Sequence, residues 1–243
     1  MKKNNFIYFN NIKKWKSDLI DYIKTSLNIN VNNPQLYETA LTHPSYIKHS
    51  KQEEDSRVGQ YQELEFLGDS ILQFLVSDYI FKKHKNLDQG SLTLLRSKLV
   101  CTKALANVTN EIQLKKYILT GPGGMYENVI RSQKVAADIF ESLVAAIYLD
   151  QDINVTRKFV DHHVCSKDEL LIQQESLKDY KTTFQEYIQS FSKIAVTYET
   201  KSVAEHFESE AKHDNKIYGK GKGKSKSEAE ENAAKEALKK LKV

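Results

Sequence analysis

Apolar residues recur at helical spacing through most of the chain and give way to alternation only towards its end. Leu19, Ile20, Ile23 and Leu27 share one side of a predicted helix over Ser17–Leu27. Asn33-Pro34 reads as a cap with proline in the first turn of a helix carrying Leu36, Ala40 and Leu41. That helix ends in Thr42-His43-Pro44-Ser45-Tyr46, where His43 is expected to serve a cap or a core hydrogen bond. Lys48–Gln60 is charged and reads as a loop. Tyr61–Phe74 contains no proline, and Leu64, Leu67, Ile71 and Leu75 recur at helical spacing. It is apolar almost all round, which predicts a buried helix. Ser91 is the expected cap of a helix over Leu92–Ile112, with Leu95, Leu99, Leu105 and Val108 on its core face. Gly121-Pro122-Gly123-Gly124 is turn chemistry. Gln133–Leu149 reads as a second buried helix, and His163–Ser176 as a helix end and linker.

From Leu177 the pattern changes. A helix is expected from Asp179, then strands at Ala195–Thr200, Phe207–Ala211 and Lys216–Tyr218, with His213-Asp214-Asn215 as a turn. A glycine–lysine loop and an alanine-rich helix close the chain. The fold class is therefore multi-domain: an all-α domain followed by a small α+β domain of order α-β-β-β-α.

Length and charge narrow this little. The chain's 243 residues allow one large domain or two modest ones, and the net charge is only +4. Arg57, Arg96, Arg131 and Arg157 are the only arginines, a lysine bias that fits an AT-rich genome rather than a mechanism. Cys101 and Cys165 match no metal-ligand spacing and are expected to be buried free thiols of a cytoplasmic protein. Residues 1–14 are polar and expected to fray. No apolar run suits a signal peptide or a membrane span, so no membrane is expected as a partner.

The chemistry lies in acids on apolar helices. Glu65 and Asp69 stand four apart and share a helix face; Asp138 and Glu141 stand three apart and share another. No lysine or arginine lies within a turn of Glu65 or Asp69 in sequence. Carboxylates in dry surroundings are costly without a cation, and adjacent ones repel. Either these acids meet water at the helix edges, or they share a metal. Oxygen-only ligation would suit Mg2+, with Mn2+ as substitute. Gly68, between the first two acids, offers room for another backbone to approach. Near the end of the chain, Lys216, Lys220, Lys222, Lys224 and Lys226 occur with no acid between them and run into a helix N-terminus, which favours phosphate. Gly223-Lys224-Ser225 invites a P-loop reading, but the glycine required five residues earlier is Tyr218.

Glu65-Phe66-Leu67-Gly68-Asp69-Ser70-Ile71-Leu72 resembles the signature helix of the ribonuclease III family. Thr42–Tyr46 resembles the string that precedes it, and Ala137–Leu143, continuing to Tyr148-Leu149-Asp150, resembles the family's second signature. Asp179-x-Lys-Thr-x-x-Gln-Glu and Gly221-x-Gly-x-Ser-Lys-x-x-Ala-Glu resemble the double-stranded-RNA-binding domain. The resemblance implies a catalytic and dimerisation domain over 15–165, with a variable loop near the RNA up to Arg131, and an RNA-binding domain over 177–243. It implies a homodimer in which Phe66 enters the partner subunit. Glu65, Asp69, Asp138 and Glu141 would be the metal ligands, with Asp69 and Glu141 the catalytic pair. The reaction would be Mg2+-dependent hydrolysis of double-stranded RNA to 5′-phosphate and 3′-hydroxyl ends, in ribosomal and messenger RNA precursors, with no small-molecule cofactor. Thr182, Gln185, Glu186, His206, Lys220, Lys222, Lys224, Ser225 and Lys226 would contact RNA.

The chain also departs from the family. Gln62 and Gln89 stand where acids are usual, the Gly-Pro-x-His string before the second strand is missing, and Ser227 replaces a second lysine. A catalytically silent duplex-RNA-binding protein is the alternative. Retention of all four acids favours the enzyme.

Overall fold

The structure, a computed structural model, describes residues 12–50, 59–122, 124–173 and 180–241. The chain divides into two compact units, Met1–Ile172 and Gln173–Val243.

The described part of the first unit is helical: α1 (Ile12–Thr25), α2 (Pro34–Ala40), α3 (Pro44–Ser50), α4 (Tyr61–Lys83), α5 (Gln89–Val100), α6 (Thr102–Glu111), α7 (Met125–Arg131), α8 (Gln133–Asp150), α9 (Ile153–His163) and α10 (Asp168–Gln173). α8 is the central element and packs on α4 and α6. Its small and branched residues leave Ile139, Phe140, Leu143, Val144 and Ile147 fully buried. Ser132 caps its start, its side chain accepting from Val135 N. At its end Asp150 accepts from Asn32 N at 3.1 Å, Asn33 N at 2.6 Å and the Tyr37 hydroxyl at 2.9 Å, tying α8 to the start of α2. Asn33 caps α2 as the sequence predicts, with Pro34 in its first turn.

Several boundaries differ from the sequence reading. α1 starts at Ile12, so residues 12–14 are helical; the expected fraying of 1–11 lies outside the described residues. α4 runs on to Lys83 because Leu75, Val76 and Ile80 continue its buried stripe. It is not buried all round: Phe66 is 79% exposed, with Phe74 and Phe81 also exposed. Asp88, not Ser91, caps α5, its carboxylate accepting from Ser91 N at 2.7 Å. The helix expected over Leu92–Ile112 is two helices, broken where Cys101 adopts an extended ψ of 155°. That break also leaves Cys101 exposed, whereas Cys165 is buried.

Lys48–Ser50 belong to α3, and residues 51–58 of the expected loop lie outside the described residues. The segment before Arg131 holds the short helix α7 rather than a loop. The supposed linker holds α10, anchored where buried Asp168 meets Lys83 at 2.9 Å and His84 at 2.7 Å.

The second unit is α11 (Tyr180–Gln189), β1 (Thr197–Val203), β2 (His206–His213), β3 (Lys216–Gly223) and α12 (Lys226–Leu241). The strands form an antiparallel sheet of order β1-β2-β3. Phe184 and Ile188 of α11, Ala211 of β2, and Ala233, Ala237 and Leu238 of α12 make its core. The glycine–lysine run is not a loop: Gly219, Gly221 and Gly223 are the α12-facing positions of β3. A Cβ on Gly221 would lie 2.2 Å from Ala233 N, and one on Gly219 2.2 Å from Ala233 O, so only glycine lets the helix lie this close. Val203 pairs with His206, which leaves Ala204-Glu205 as a two-residue turn with Ala204 at φ 49°.

Candidate metal centre and nucleic-acid face

The acids meet because α4 and α8 touch backbone to backbone at Gly68. A Cβ placed there would lie 1.8 Å from Glu141 O. Ser142 Oγ adds a tie, donating to Tyr61 O at 3.2 Å. Glu65 of α4 and Asp138 and Glu141 of α8 thereby each bring an oxygen within 4.8 Å of the others. Asp69 stands outside this trio, exposed, its Oδ1 accepting from Gln73 Nε2 at 3.3 Å. Its charge nonetheless reaches Glu141.

Burial pushes the Glu141 carboxyl up to about 8, helped by the charges of Asp69, Asp138 and Glu65. Burial also raises Glu65, with Asp138 adding and Lys134 opposing. Close carboxylates that hold protons this tightly are short of positive charge. Three oxygen donors and no sulfur or nitrogen suit a hard divalent cation.

Two further groups hold Asp138. Lys134 Nζ lies 2.8 and 3.0 Å from its two oxygens and 3.7 Å from Glu65 Oε1. The buried Tyr61 hydroxyl hydrogen-bonds to Asp138; burial first, then this carboxylate and Glu65, lift the phenol far above its ordinary range. The sequence reading missed both. Lys134 carried a signal, standing four residues before Asp138, whereas Tyr61 meets Asp138 only across the helix pair. His43 is structural: its Nδ1 accepts from Ser45 N at 3.1 Å at the start of α3, and burial lowers its proton affinity.

On the outward side of α4, Phe74, Ile80 and Phe81 line an open, mainly apolar cavity of about 580 Å³ with Leu87, Leu92 and Arg96 of the α5 side. Gln89 also lines it, and Gln62 is exposed on the first turn of α4.

In the second unit the expected RNA contacts fall into separate groups. Thr182 and Glu186 are exposed on α11, whereas Gln185 Oε1 accepts from Val196 N at 3.0 Å. Ser225 caps α12, its Oγ accepting from Glu228 N at 3.2 Å, while Glu228 Oε2 accepts from Lys224 N at 2.8 Å. Lys224 and Lys226 are exposed at this helix start. Lys220 and Lys222 alternate with the α12-facing glycines and so lie on the other face of the sheet. They pair there with Glu210 at 2.6 Å and Glu208 at 2.7 Å. His206 Nε2 lies 3.2 Å from Glu208 Oε1 beside the two-residue turn.

A helical domain bearing a carboxylate cluster is thus followed by a small α-β-β-β-α domain. Residues 33–168 match the family described as Ribonuclease-III-like, and residues 180–241 match the double-stranded RNA binding motif. The chain is 42% identical over 220 residues to Ribonuclease 3 of Mycoplasmopsis synoviae, covering 88% of this chain and 91% of that one. It is 34% identical over 231 residues to Ribonuclease 3 of Lactiplantibacillus plantarum, covering 93% and 98%. Among solved structures, the nuclease domain of ribonuclease III from Campylobacter jejuni superposes with a TM-score of 0.53 at 26% identity, covering 61% of this chain and 95% of that one. This chain belongs to the ribonuclease III family.

Proposed function

We propose that this chain is a homodimeric, divalent-metal-dependent endoribonuclease that cleaves double-stranded RNA to 5′-phosphate and 3′-hydroxyl ends, acting in the cytoplasm on ribosomal and messenger RNA precursors. The observation that carries the reading is the trio of carboxylate oxygens within 4.8 Å at the α4–α8 crossing, in a chain of this family. Glu65, Asp138 and Glu141 would hold Mg2+ or Mn2+, with exposed Asp69 alongside and Asp69 and Glu141 the catalytic pair. Such an ion lowers the pKa of a bound water and offsets charge developing on the phosphate. The chain's own groups prepare the place: Gly68 keeps the helices in contact, while Tyr61 and Lys134 fix Asp138. Among the described residues no helix is long and apolar enough to cross a membrane.

The test is a labelled long RNA duplex incubated with the protein in Mg2+ and in EDTA. Discrete, metal-dependent, 5′-phosphorylated products are expected. Binding without cleavage in both Mg2+ and Mn2+ would move the assignment to a silent RNA-binding protein.

The dimer is supported by the exposed Phe66, Phe74 and Phe81 of α4, and by a Campylobacter jejuni nuclease-domain structure described by its region of dimer formation (TM-score 0.51, 26% identity). Burying one phenylalanine contributes about 1.5–3 kcal/mol. Phe66→Asp is therefore expected to sediment as a monomer, and an unchanged dimer would remove Phe66 from the interface.

Thr182, Gln185 and Glu186 of α11 and Lys224, Ser225 and Lys226 at the α12 start are the proposed RNA face. Lys220, Lys222 and His206 lie 2.6, 2.7 and 3.2 Å from their acids, against 3.9 Å between Lys226 and Glu230, which argues for a lesser share for those three. Replacing Lys224 and Lys226 by alanine should weaken duplex binding and flatten its salt dependence by about one unit of slope for each phosphate no longer neutralised. Replacing Lys220 and Lys222 should change neither much, and an equal weakening by both pairs would put the sheet face on the RNA.

A further inference from the structure

We propose that Lys134 is the metal-free site's own counter-cation: its ammonium bridges Glu65 and Asp138 across the two helices and leaves when a divalent ion arrives. The inference rests on the reading that this cluster takes a metal.

Helix stability does not explain a lysine here. Lys134 is the second residue of α8, where the positive end of the helix dipole disfavours a cation. It also precedes its acid by four residues, the weaker order for such a pair. Its contacts account for its position instead. Nζ meets both oxygens of Asp138, at 2.8 and 3.0 Å, and comes within 3.7 Å of Glu65 on the facing helix. One positive group thus spans α4 and α8 at the point where carboxylates would otherwise push the helices apart.

The partners differ in freedom. The Asp138 side chain is 10% exposed and also held by Tyr61, whereas the Lys134 side chain is 73% exposed on a flexible four-carbon stem. Asp138 and Glu65 would hold a divalent ion through the lone pairs they now offer the ammonium, and the ion's charge would repel that ammonium. The lysine is the member that can move, because water lies beside it. The site is thereby held near its working shape before metal binds, and the holder competes with the metal.

The experiment uses the full chain without RNA. Lys134→Met keeps the stem and removes the charge. In EDTA the variant should melt lower than the unmodified protein, and Mn2+ should close that gap. Calorimetry should show Mn2+ bound several-fold tighter by the variant, since no ammonium competes. In the unmodified protein, Mn2+ should raise the rate at which an acylating reagent modifies Lys134, read by mass spectrometry of the peptide, several-fold over EDTA.

Mn2+ binding with Lys134 reactivity unchanged would overturn the inference and leave the metal reading intact. An equal drop in melting with and without Mn2+ would do the same, showing a merely structural residue. Failure of the unmodified protein to bind Mn2+ or Mg2+ would overturn both.

Discussion

Glu141→Gln is expected to reduce cleavage of a long RNA duplex by at least about 100-fold, the upper loss seen when only a hydrogen-bonding neighbour of a metal ligand is removed. Binding of the same duplex in EDTA should not change. The amide keeps the size of the side chain and removes its charge. Glu141 sits in the middle of α8, against the α4 backbone, so a neutral group of equal shape disturbs little there. The metal-free protein already favours a neutral group at this point, because burial pushes the Glu141 carboxyl from its ordinary 4.5 to about 8.

This sets the direction of a second readout. The folded chain binds the Glu141 proton more tightly than the unfolded chain. Stability in EDTA therefore falls as pH rises from about 5 towards 8, where the unfolded state has already lost that proton. Melting curves in EDTA should show the fall in the unmodified protein and a weaker one in Glu141→Gln. Cleavage by the variant at the unmodified rate would remove Glu141 from the chemistry, whatever its effect on melting.

What the sequence made legible follows from how local each signal was. The acids of α4 and α8 could be paired because i,i+3 and i,i+4 spacing fixes a helix face without tertiary knowledge. The apolar run through Val135–Ile147 likewise announced a buried helix. Gly68 was read for close approach, and the structure supplies its neighbour, the Glu141 backbone.

Signals that needed a second element were not legible. The glycines of β3 looked like loop residues because their lack of side chains serves α12, not the strand. Lys220 and Lys222 stand free of acids along the chain, yet the strand register sets them opposite Glu210 and Glu208. α7 is seven residues long, too short for apolar periodicity to show. The apolar character of α4 was plain, but which of its phenylalanines face outward depends on where α8 lies.

Gly68→Ala should damage stability and metal binding together, and Gly68→Val more so. The added Cβ would lie 1.8 Å from Glu141 O, 2.5 Å from its carbonyl carbon and 3.2 Å from its Cα. All three are backbone atoms of a buried helix, so no side chain can rotate away, and the helices must part. Overpacking of a core costs about 1–3 kcal/mol. A rigid obstacle places this case near 3 kcal/mol, which for a unit of this size lowers melting by roughly 6–12 °C. Gly68 lies between Glu65 and Asp69, so parting the helices there also draws Glu65 away from Asp138 and Glu141. Mn2+ affinity should fall with the melting temperature, while the transition of the RNA-binding unit stays in place. Unchanged melting and unchanged Mn2+ binding in Gly68→Ala would mean that the helices pass further apart than this contact. A loss of stability with metal affinity intact would mean that the carboxylates find one another by routes other than this crossing. In either of those cases the absence of a side chain at position 68 would not be what assembles the site.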